Sequence, residues 1–302
     1  MKRRFKFKFN GESPRSILIA YIFAKLKCDV YIHNLSIVTN SEKDHRIFFF
    51  SNSFKNLLIK FDIWNEIEAI SYGVTSLSIK DNLVSEQLLI RTQNFSKTFL
   101  KTIGWTSQYL DIKSLLIKKL IDYDNVQFIS KNQVIDKSLI FDYIFNFKNY
   151  NEILNLNKLS LPPINKKDEQ SLIFNVYLRG HVEKRMYEIN TTKGLLVLTP
   201  LNKNLYQIAW NYPSLRVKET LLSSKSLFLD NLITLLPDEL IIDQIVGDVN
   251  ILHISNIYSN YLIKNNSIYF NENKFKSNTI YDFNFENIIK NIFKIYYYFD
   301  NN

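Results

Sequence analysis

The chain has 302 residues, of which 46% are hydrophobic, so it can bury a substantial core as one large domain or two ordinary ones. Its formal charge is +9, but the lysines are spread through every segment and arginine is scarce. No arginine-rich stripe, RNA-binding aromatic–glycine sequence or zinc-finger spacing accompanies the charge. We therefore interpret it as a solvated basic surface and predict no nucleic-acid partner. The histidines lack the spacing of metal ligands, so no metal site is predicted.

Cysteine use and the first residues of the chain bear on its location. Cys28 is the only cysteine, which excludes an internal disulfide and suits a reducing compartment. Met1–Arg4 and the apolar run Ile17–Ala24 are faintly typical of a signal peptide, but the polar break Asn10–Ser16 separates them and no small-residue cleavage site follows. The run is also too short to span a bilayer. We therefore predict a cytoplasmic protein.

The beginning of the chain has the pattern of a strand, a tight turn, a helix and a second strand. Lys6–Phe9 alternates charged and apolar residues, and Ser16–Lys27 is an apolar stretch of helix-compatible residues. Pro14 is acceptable in the first turn of that helix. Asp29–His33 is β-branched and aromatic, which is typical of a strand. This order predicts the opening βαβ unit of a dinucleotide-binding sheet.

The next part of the chain alternates between predicted strands and predicted helices. An apolar run at Arg46–Ser51 precedes a helix with a buried leucine stripe, and an amphipathic helix precedes two strands that return to the first sheet. In order, the predicted elements are a helix at Asn52–Asn65, strands at Ile70–Lys80 and Gln87–Thr92, a helix at Leu110–Tyr123, and strands at Val126–Ser130 and Ser138–Ile144.

The polar segment Asn151–Gln170 contains the pair Pro162-Pro163 and is the best candidate for a boundary. Short strands with turn-like breaks follow it, which predicts an inserted antiparallel sheet. The elements predicted beyond the boundary are strands at Leu172–Leu178, Met186–Ile189, Leu195–Pro200 and Tyr206–Trp210, a helix at Leu221–Leu236, a strand at Ile251–Ile254 and a closing helix at Phe283–Phe299.

Several stretches carry a resemblance to a known family. The stretches, in chain order, are Arg46–Ser51 with Leu57-Leu58 and Phe61–Trp64, then Gly104-Trp105 with Gln108, Leu110 and Asp111, then Asp124–Val126, and finally Gly194–Leu201 with Tyr206–Trp210. They resemble, in the same order, segments of the FAD-dependent aromatic-ring hydroxylases of the p-hydroxybenzoate hydroxylase type, and most of all the ubiquinone-biosynthesis hydroxylases. The resemblance covers about Lys6 to Asn260.

This resemblance implies an α/β fold: a Rossmann-like FAD-binding sheet with an inserted antiparallel β-sheet that forms a substrate layer. The implied domains are a discontinuous FAD-binding-type domain, residues 1–165 and 238–302, and an inserted substrate-type domain, residues 166–237. The chain is shorter than the family and its flavin segments are altered.

The family's first flavin fingerprint is Gly-x-Gly-Pro-x-Gly, whose glycines make the turn and let the diphosphate approach the backbone. The matching residues are Gly11, Ser13, Pro14 and Ser16, so one glycine and the proline are kept. A side chain at Ser13 intrudes where phosphate oxygens would approach amides, although its hydroxyl can also bond to phosphate. If either serine position requires the left-handed conformation, the replacement costs about 1–2 kcal/mol.

Three further flavin-contacting segments are implied by the resemblance, and each is altered. Asn34 stands where an acidic residue at the end of the second strand would accept hydrogen bonds from the adenosine ribose. Asp142 corresponds to the aspartate of an Asp-Gly segment, with Tyr143 in place of glycine; a strand-end turn residue is the alternative. Ser255 and Asn256 fall where a Gly-Asp pair follows the last strand of the sheet.

Two polar positions match the family better. The resemblance implies that Arg46 reaches flavin or substrate and that the Gln108 side chain faces the cofactor. The alternatives are a surface arginine and a polar residue at a helix N-terminus. Gly247-Asp248 is a literal Gly-Asp pair, but it precedes the predicted strand at Ile251–Ile254, so we interpret it as an ordinary turn.

The function implied by the resemblance is hydroxylation of a phenolic quinone precursor by an FAD-dependent monooxygenase, with NAD(P)H as reductant. Association with the inner face of a membrane or with a biosynthetic complex is a further expectation, and no catalytic residue is assigned. Two alternatives stay open. One is a non-catalytic descendant that binds a quinone-type lipid or partner enzymes, and the other is an unrelated α/β binding protein.

Overall fold

The structure is a computed structural model, and it describes residues 4–11, 13–33, 46–84, 86–91, 101–130, 138–148, 169–213, 225–254, 261–264, 266–271 and 289–290. Strands and helices alternate in the first half, and long strands dominate the second half. In chain order the elements are β1 (Lys6–Asn10), α1 (Pro14–Lys25), β2 (Asp29–His33), β3 (Ile47–Ser51), α2 (Asn52–Lys60), α3 (Trp64–Ala69), β4 (Tyr72–Val74), β5 (Ser76–Asp81), β6 (Glu86–Arg91), β7 (Gly104–Gln108), α4 (Tyr109–Ile121), β8 (Val126–Ile129), β9 (Tyr143–Lys148), β10 (Glu169–Arg179), β11 (Arg185–Thr191), β12 (Gly194–Pro200), β13 (Leu205–Pro213), α5 (Lys225–Ile233), β14 (Ile241–Ile254), β15 (Tyr261–Lys264) and β16 (Ser267–Asn271).

The first sheet has six strands in the order β15-β16-β9-β1-β2-β8. β1 lies inside this sheet and pairs in parallel with β2 on one side and with β9 on the other. In this register Phe9 lies beside Ile32 of β2 and Phe145 of β9. The predicted strand, turn, helix and strand at the start of the chain are therefore confirmed, and the Gly11–Ser16 turn leaves an interior strand of a parallel sheet.

α1 packs between the first sheet and α4. Ser13 caps the helix and Pro14 begins it, because proline needs no partner for a missing N–H in the first turn. The residues from Pro14 to Ala24 are all buried. Phe23 contacts Phe7 of β1, with ring centroids 4.4 Å apart, and α1 also contacts α4. The helix ends at Lys25 and Lys27 takes a φ of 63°, so the predicted helix at Ser16–Lys27 is shifted toward the N-terminus.

The second sheet has seven strands in the order β14-β10-β13-β12-β11-β5-β6. Its pairs are antiparallel except for β5 and β11, which are parallel. One face buries Phe174, Tyr206 and Trp210 together with α5 residues such as Phe228. The strands predicted between residues 172 and 210 are confirmed. The sheet also contains β5, β6 and β14, so it extends beyond the predicted insert, residues 166–237, on both sides.

A third sheet of three strands, in the order β3-β7-β4, lies against the other face of the second sheet. Val74 of β4 is buried in one apolar cluster with Ile173, Met186 and Val197 of the second sheet. The Thr106 hydroxyl donates a hydrogen bond of 2.5 Å to the carbonyl of Pro200, which ties β7 to β12. β7 was not predicted as a strand, because its sequence lacks alternating apolar residues and its pairing with β3 and β4 decides its conformation.

Several predicted boundaries differ from the structure. The single helix predicted at Asn52–Asn65 is two helices, α2 and α3, separated where Asp62 has a φ of 51°. The strand predicted at Ser138–Ile144 is instead β9, which begins only at Tyr143. The strand predicted at Ile251–Ile254 is the end of the much longer β14.

Two further points concern the end of the chain and membranes. Most of the predicted closing helix at Phe283–Phe299 lies outside the described residues, and residues 289–290 are helical. Within the part of the chain that the structure describes, no helix combines the length and the apolar character needed to cross a bilayer.

Candidate functional site

The turn between β1 and α1 is the centre of the candidate site. It lies at the carboxyl end of β1, beside the carboxyl ends of the parallel strands β2 and β9. Crevices outside the carboxyl ends of parallel strands are where open α/β sheets bind ligands. The N-terminus of α1 points its partial positive charge to the same place, which favours an anion such as a diphosphate.

Gly11 is required by the packing of this turn. Its φ is +136°, a conformation that residues with a side chain rarely adopt. A Cβ atom at this position would also lie 2.8 Å from the Cβ of Phe147 and 3.2 Å from the carbonyl oxygen of Phe147 in β9. The retained glycine therefore lets the chain leave β1 in close contact with β9, a structural need that exists with or without a ligand.

Ser13 occupies its position without backbone strain. Its φ of −68° and ψ of 149° are in the extended region, so the cost of a left-handed residue, which was expected if this position needed that conformation, does not apply. The Ser13 hydroxyl accepts a hydrogen bond of 3.2 Å from the amide of Ser16. Pro14 has no N–H to offer. The serine that replaces the second glycine thus uses one of the few helix N-terminal amides available to a phosphate.

Ser16 lies in the first turn of α1 and is 0% exposed. Its hydroxyl oxygen is buried and has no hydrogen-bond partner among the residues that the structure describes. A buried hydroxyl without a partner costs about 1–3 kcal/mol. Arg15, which precedes it, is also buried at 5% exposure and adds a positive charge to this turn.

The carboxyl ends of β1 and β9 are joined by side chains that the sequence interpretation did not select. The Asn10 side-chain nitrogen donates a hydrogen bond of 2.8 Å to the side-chain oxygen of Asn146. The Asn10 side-chain oxygen is buried and has no partner within the described ranges. Asn146 is buried, and Phe147 follows it beside Gly11. The parallel register of β1 and β9 brings Asn10 and Asn146 together. No local pattern in the sequence indicates this contact.

Asp142 does not lie at this turn. Its carboxylate accepts a hydrogen bond of 2.8 Å from the amide of Lys6, and its own amide donates to the carbonyl of Lys6. Lys6 begins β1, whereas the Gly11 turn follows the end of β1, so Asp142 lies at the opposite edge of the sheet. This corrects the prediction of a cofactor contact: Asp142 starts β9, and the residues of β9 beside the turn are Asn146 and Phe147.

Arg46 and Gln108 are brought together at one end of the third sheet. Ile47 pairs with Gln108, and the Arg46 carbonyl accepts the amide of Tyr109 at 2.9 Å. The Arg46 guanidinium stacks on the Tyr109 ring, 4.1 Å from its centroid. Gln108 is the N-terminal cap residue of α4, and its exposed side chain makes no capping hydrogen bond. The structure thus supports their proximity to each other.

The remaining predicted positions divide into two groups. Asn34, Ser255 and Asn256 lie outside the described residues. Gly247-Asp248, interpreted as a turn before a strand, lies inside β14 instead: Gly247 has a φ of 75°, and the register between β14 and β10 shifts around it, as in a β-bulge. Across the described ranges, no group of three metal-ligating side chains is found.

Comparison with known proteins identifies the architecture. No family model and no curated protein sequence matches the chain. Solved structures match most of it: a probable FAD-dependent monooxygenase, PqsL from Pseudomonas aeruginosa, has 10% identity and a TM-score of 0.65 over 88% of this chain and 78% of that chain. The p-nitrophenol 4-monooxygenase PnpA from Pseudomonas putida has 12% identity and a TM-score of 0.62 over 89% and 72%. The flavin-dependent monooxygenase PieE, solved with FAD and substrate, has 8% identity and a TM-score of 0.66 over 89% and 52%.

This chain has the flavin monooxygenase fold. The similarity was expected for the dinucleotide-binding sheet and for the added antiparallel sheet, and both are found in one arrangement. At this low identity the likeness establishes the fold only.

The group that the flavin monooxygenase fold implies is FAD, and the turn fits its diphosphate with one change. Gly11 keeps the turn, Ser13 is unstrained, Arg15 adds positive charge, and the first turn of α1 has no acidic residue. The change is the Ser13 hydroxyl, which takes the Ser16 amide. Because a hydroxyl rotates and can itself donate to a phosphate oxygen, the cradle can accept a diphosphate once Ser13 releases that amide.

Glu188, on the second sheet, was not selected as a candidate site residue from the sequence. Glu188 lies in β11 between Ile79 of β5 and, in the opposite direction, Val197 of β12. Burial raises the pKa of the Glu188 carboxyl. The alternation of Met186, Glu188 and Asn190 in a predicted strand is the pattern that could have placed this carboxyl on the face turned to the third sheet.

Proposed function

We propose that this protein is an FAD-binding, monooxygenase-like oxidoreductase that acts on an aromatic molecule. The observation that carries the proposal is the position of the Gly11–Ser16 turn, which joins an interior parallel strand to a capped helix in a chain with the flavin monooxygenase fold. In this proposal the N-terminus of α1 binds the diphosphate once the Ser13 hydroxyl releases the Ser16 amide, while Arg46 and Gln108 contact the remainder of the cofactor or the substrate.

When bound, FAD would supply the redox chemistry, taking electrons from reduced nicotinamide and activating oxygen for hydroxylation. The chain's own residues would bind the cofactor, orient the substrate and exclude water. The buried cluster of Val74, Met186 and Val197 closes the contact between the second and third sheets. An apolar wall of this kind keeps bulk water from a reactive intermediate.

The substrate class in this proposal is a phenolic quinone precursor. Support comes from the collinear resemblance to ubiquinone-biosynthesis hydroxylases and from a solved structure of similar fold that is named a p-nitrophenol 4-monooxygenase. Because such precursors are lipids, we also propose association with a membrane surface or with partner enzymes of the same synthesis.

The test is binding of FAD to the purified chain. We expect FAD to raise the melting temperature and to lose part of its fluorescence on binding, and the protein to release FAD when denatured. The matched control is Ser13→Asp: aspartate caps helices as well as serine does, but its charge repels a diphosphate at the N-terminus of α1. The proposal would be contradicted if the purified wild type is colourless and its melting temperature does not change in excess FAD.

A second candidate is a non-catalytic binding protein with the same fold. The hydrogen bond from Ser16 to Ser13 favours it, because the cradle then satisfies its own amide. In that case Ser13→Gly, which frees the amide, would also fail to bind FAD, whereas quinone-type lipids would still stabilise the protein.

A further inference from the structure

Arg46 and Tyr109 are joined by two contacts. The Tyr109 amide donates a hydrogen bond of 2.9 Å to the Arg46 carbonyl, which ties the two backbones together. The Arg46 guanidinium also lies over the Tyr109 ring, 4.1 Å from its centroid. A guanidinium in this position is attracted by the electron-rich face of the ring. The two contacts therefore fix the side chain of Arg46 as well as its backbone.

The Tyr109 ring is itself held in the core. Only 3% of Tyr109 is exposed, and Phe48 stacks against its ring with centroids 4.8 Å apart and an interplanar angle of 17°. Phe50 stacks on Phe48 in turn, at 5.6 Å. Because close-packed core side chains sit in well-defined rotamers, the ring gives the Arg46 guanidinium a fixed support.

Tyr109 is the first residue of α4, and the direction of that helix decides on which side of the first sheet Arg46 lies. α1 and α4 pack against each other, and each leads into one of the parallel neighbours β2 and β8. The Tyr21 ring of α1 contacts the ring of Tyr123, just past the end of α4, with centroids 5.9 Å apart. The two helices therefore run in the same direction, with their C-terminal ends together.

The lengths of the two helices place the beginning of α4 beyond the beginning of α1. At about 1.5 Å per residue, α1 spans roughly 10 Å from Tyr21 back to Pro14, whereas α4 spans roughly 18 Å from Ile121 back to Tyr109. The N-terminus of α4 consequently extends several ångströms farther toward the carboxyl ends of the parallel strands. Arg46 thus lies on the ligand side of the sheet, outside the turn that would bind the diphosphate.

A guanidinium that is stacked through its face presents its edge, and the edge carries its N–H donors. Gln108, the cap residue of α4, makes no capping hydrogen bond and its side chain is exposed. The edge of Arg46 and the first turn of α4 are therefore both suited to an oxygen acceptor.

We propose that Tyr109 is a positioning residue of the cofactor site: its ring holds the Arg46 guanidinium so that the N–H edge meets an oxygen acceptor of FAD. This rests on the proposed function, in which Arg46 contacts the cofactor or the substrate, and it names the cofactor as that contact. A side chain that is already fixed before binding loses less conformational entropy when the ligand arrives. Tyr109 acts through Arg46 and does not touch FAD.

The experiment measures the dissociation constant for FAD by fluorescence titration and the stability by urea denaturation. Tyr109→Leu removes the ring but leaves the backbone hydrogen bond to Arg46, and it should raise the dissociation constant about threefold. Tyr109→Phe keeps the ring and should bind FAD as the wild type does. The matched control is Phe48→Leu, which removes a ring from the same stack but leaves Tyr109 in place, so it should lower stability without this loss of affinity.

Arg46→Ala separates positioning from a merely structural role. It should raise the dissociation constant about tenfold, as expected for the loss of a hydrogen bond from a charged group. Adding Tyr109→Leu to Arg46→Ala should change the dissociation constant no further, because Tyr109 acts only through the guanidinium. A structural role would lower affinity by the same factor with and without Arg46. Tyr109→Met, which fills more of the volume of the ring, replaces Tyr109→Leu if that variant does not fold.

The outcomes distinguish this inference from the proposed function. If the wild type binds FAD and Tyr109→Leu binds it equally well, the role of Tyr109 is overturned and the proposed function stands. The same holds if Arg46→Ala leaves the affinity unchanged, or if Tyr109→Leu costs as much without Arg46 as with it. If the wild type does not bind FAD, the proposed function fails and the role of Tyr109 fails with it.

Discussion

Gly11 and Phe147 approach so closely that a methyl group on Gly11 would lie 2.8 Å from the Cβ of Phe147. Gly11 also has a φ of +136°. Gly11→Ala should therefore lower the free energy of unfolding by about 2–4 kcal/mol, from backbone strain and from displacement of β9. Chemical denaturation measures this change.

Gly247→Ala is the matched control for Gly11→Ala. Gly247 also has a positive φ, +75°, but an added Cβ there meets no atom within 4 Å. It should cost only the backbone term, about 1–2 kcal/mol. Equal losses in the two variants would mean that the contact with Phe147 does not matter.

A feature of this fold can be predicted from the sequence when neighbouring residues determine it, and cannot when residues far apart in the sequence determine it. The β1–α1–β2 opening is local: alternating residues, Pro14 and a long apolar run suffice, and the structure confirms it. The position of Asp142 is not local. The resemblance to an Asp-Gly segment implied a cofactor contact for Asp142, with a strand-end turn residue as the alternative, but the pairing of Phe9 with Phe145 places Asp142 at a strand start.

The same reasoning explains the second sheet. Its central strands were predictable because each is a short apolar run between turn-like breaks. The addition of β5, β6 and β14 to its edges was not predictable, since β5 pairs in parallel with β11 more than 100 residues away, for example Ser78 with Tyr187. Long-range register also decides which side Glu188 faces.

Ser13→Gly should increase affinity for FAD. Removing the hydroxyl frees the Ser16 amide, which Ser13 now occupies at 3.2 Å, and lets a phosphate oxygen accept that bond. A hydrogen bond to a charged group corresponds to about a tenfold lower dissociation constant. Fluorescence titration with FAD measures the dissociation constant. An equal affinity in Ser13→Gly would contradict the prediction, and a weaker one would show that the Ser13 hydroxyl assists binding of the diphosphate.

Ser16→Ala should stabilise the protein. The Ser16 hydroxyl is buried and has no partner in the part of the chain that the structure describes, and alanine is the better helix former. The expected gain is about 1 kcal/mol in the free energy of unfolding. Ser13→Ala, which removes the N-cap of the same helix, should instead lower the free energy of unfolding by about 1 kcal/mol. A loss in both variants would mean that the Ser16 hydroxyl makes a bond that matters for folding.

Glu188→Gln should change the pH dependence of stability. Burial raises the pKa of Glu188 above the ordinary value of a glutamate, so its ionised form is less favourable in the folded state than in the unfolded state. The wild type therefore bears a cost that is fully present above the raised pKa and disappears as the pH falls toward the ordinary pKa of a glutamate.

Glutamine has no such cost, so the variant should be the more stable protein at pH 7 and should lose that advantage on acidification. Urea denaturation of both proteins at a series of pH values measures the difference, with Glu239→Gln as the exposed control. A constant difference across the whole pH range would contradict the prediction, because it would show that the substitution acts through packing and not through the charge of Glu188.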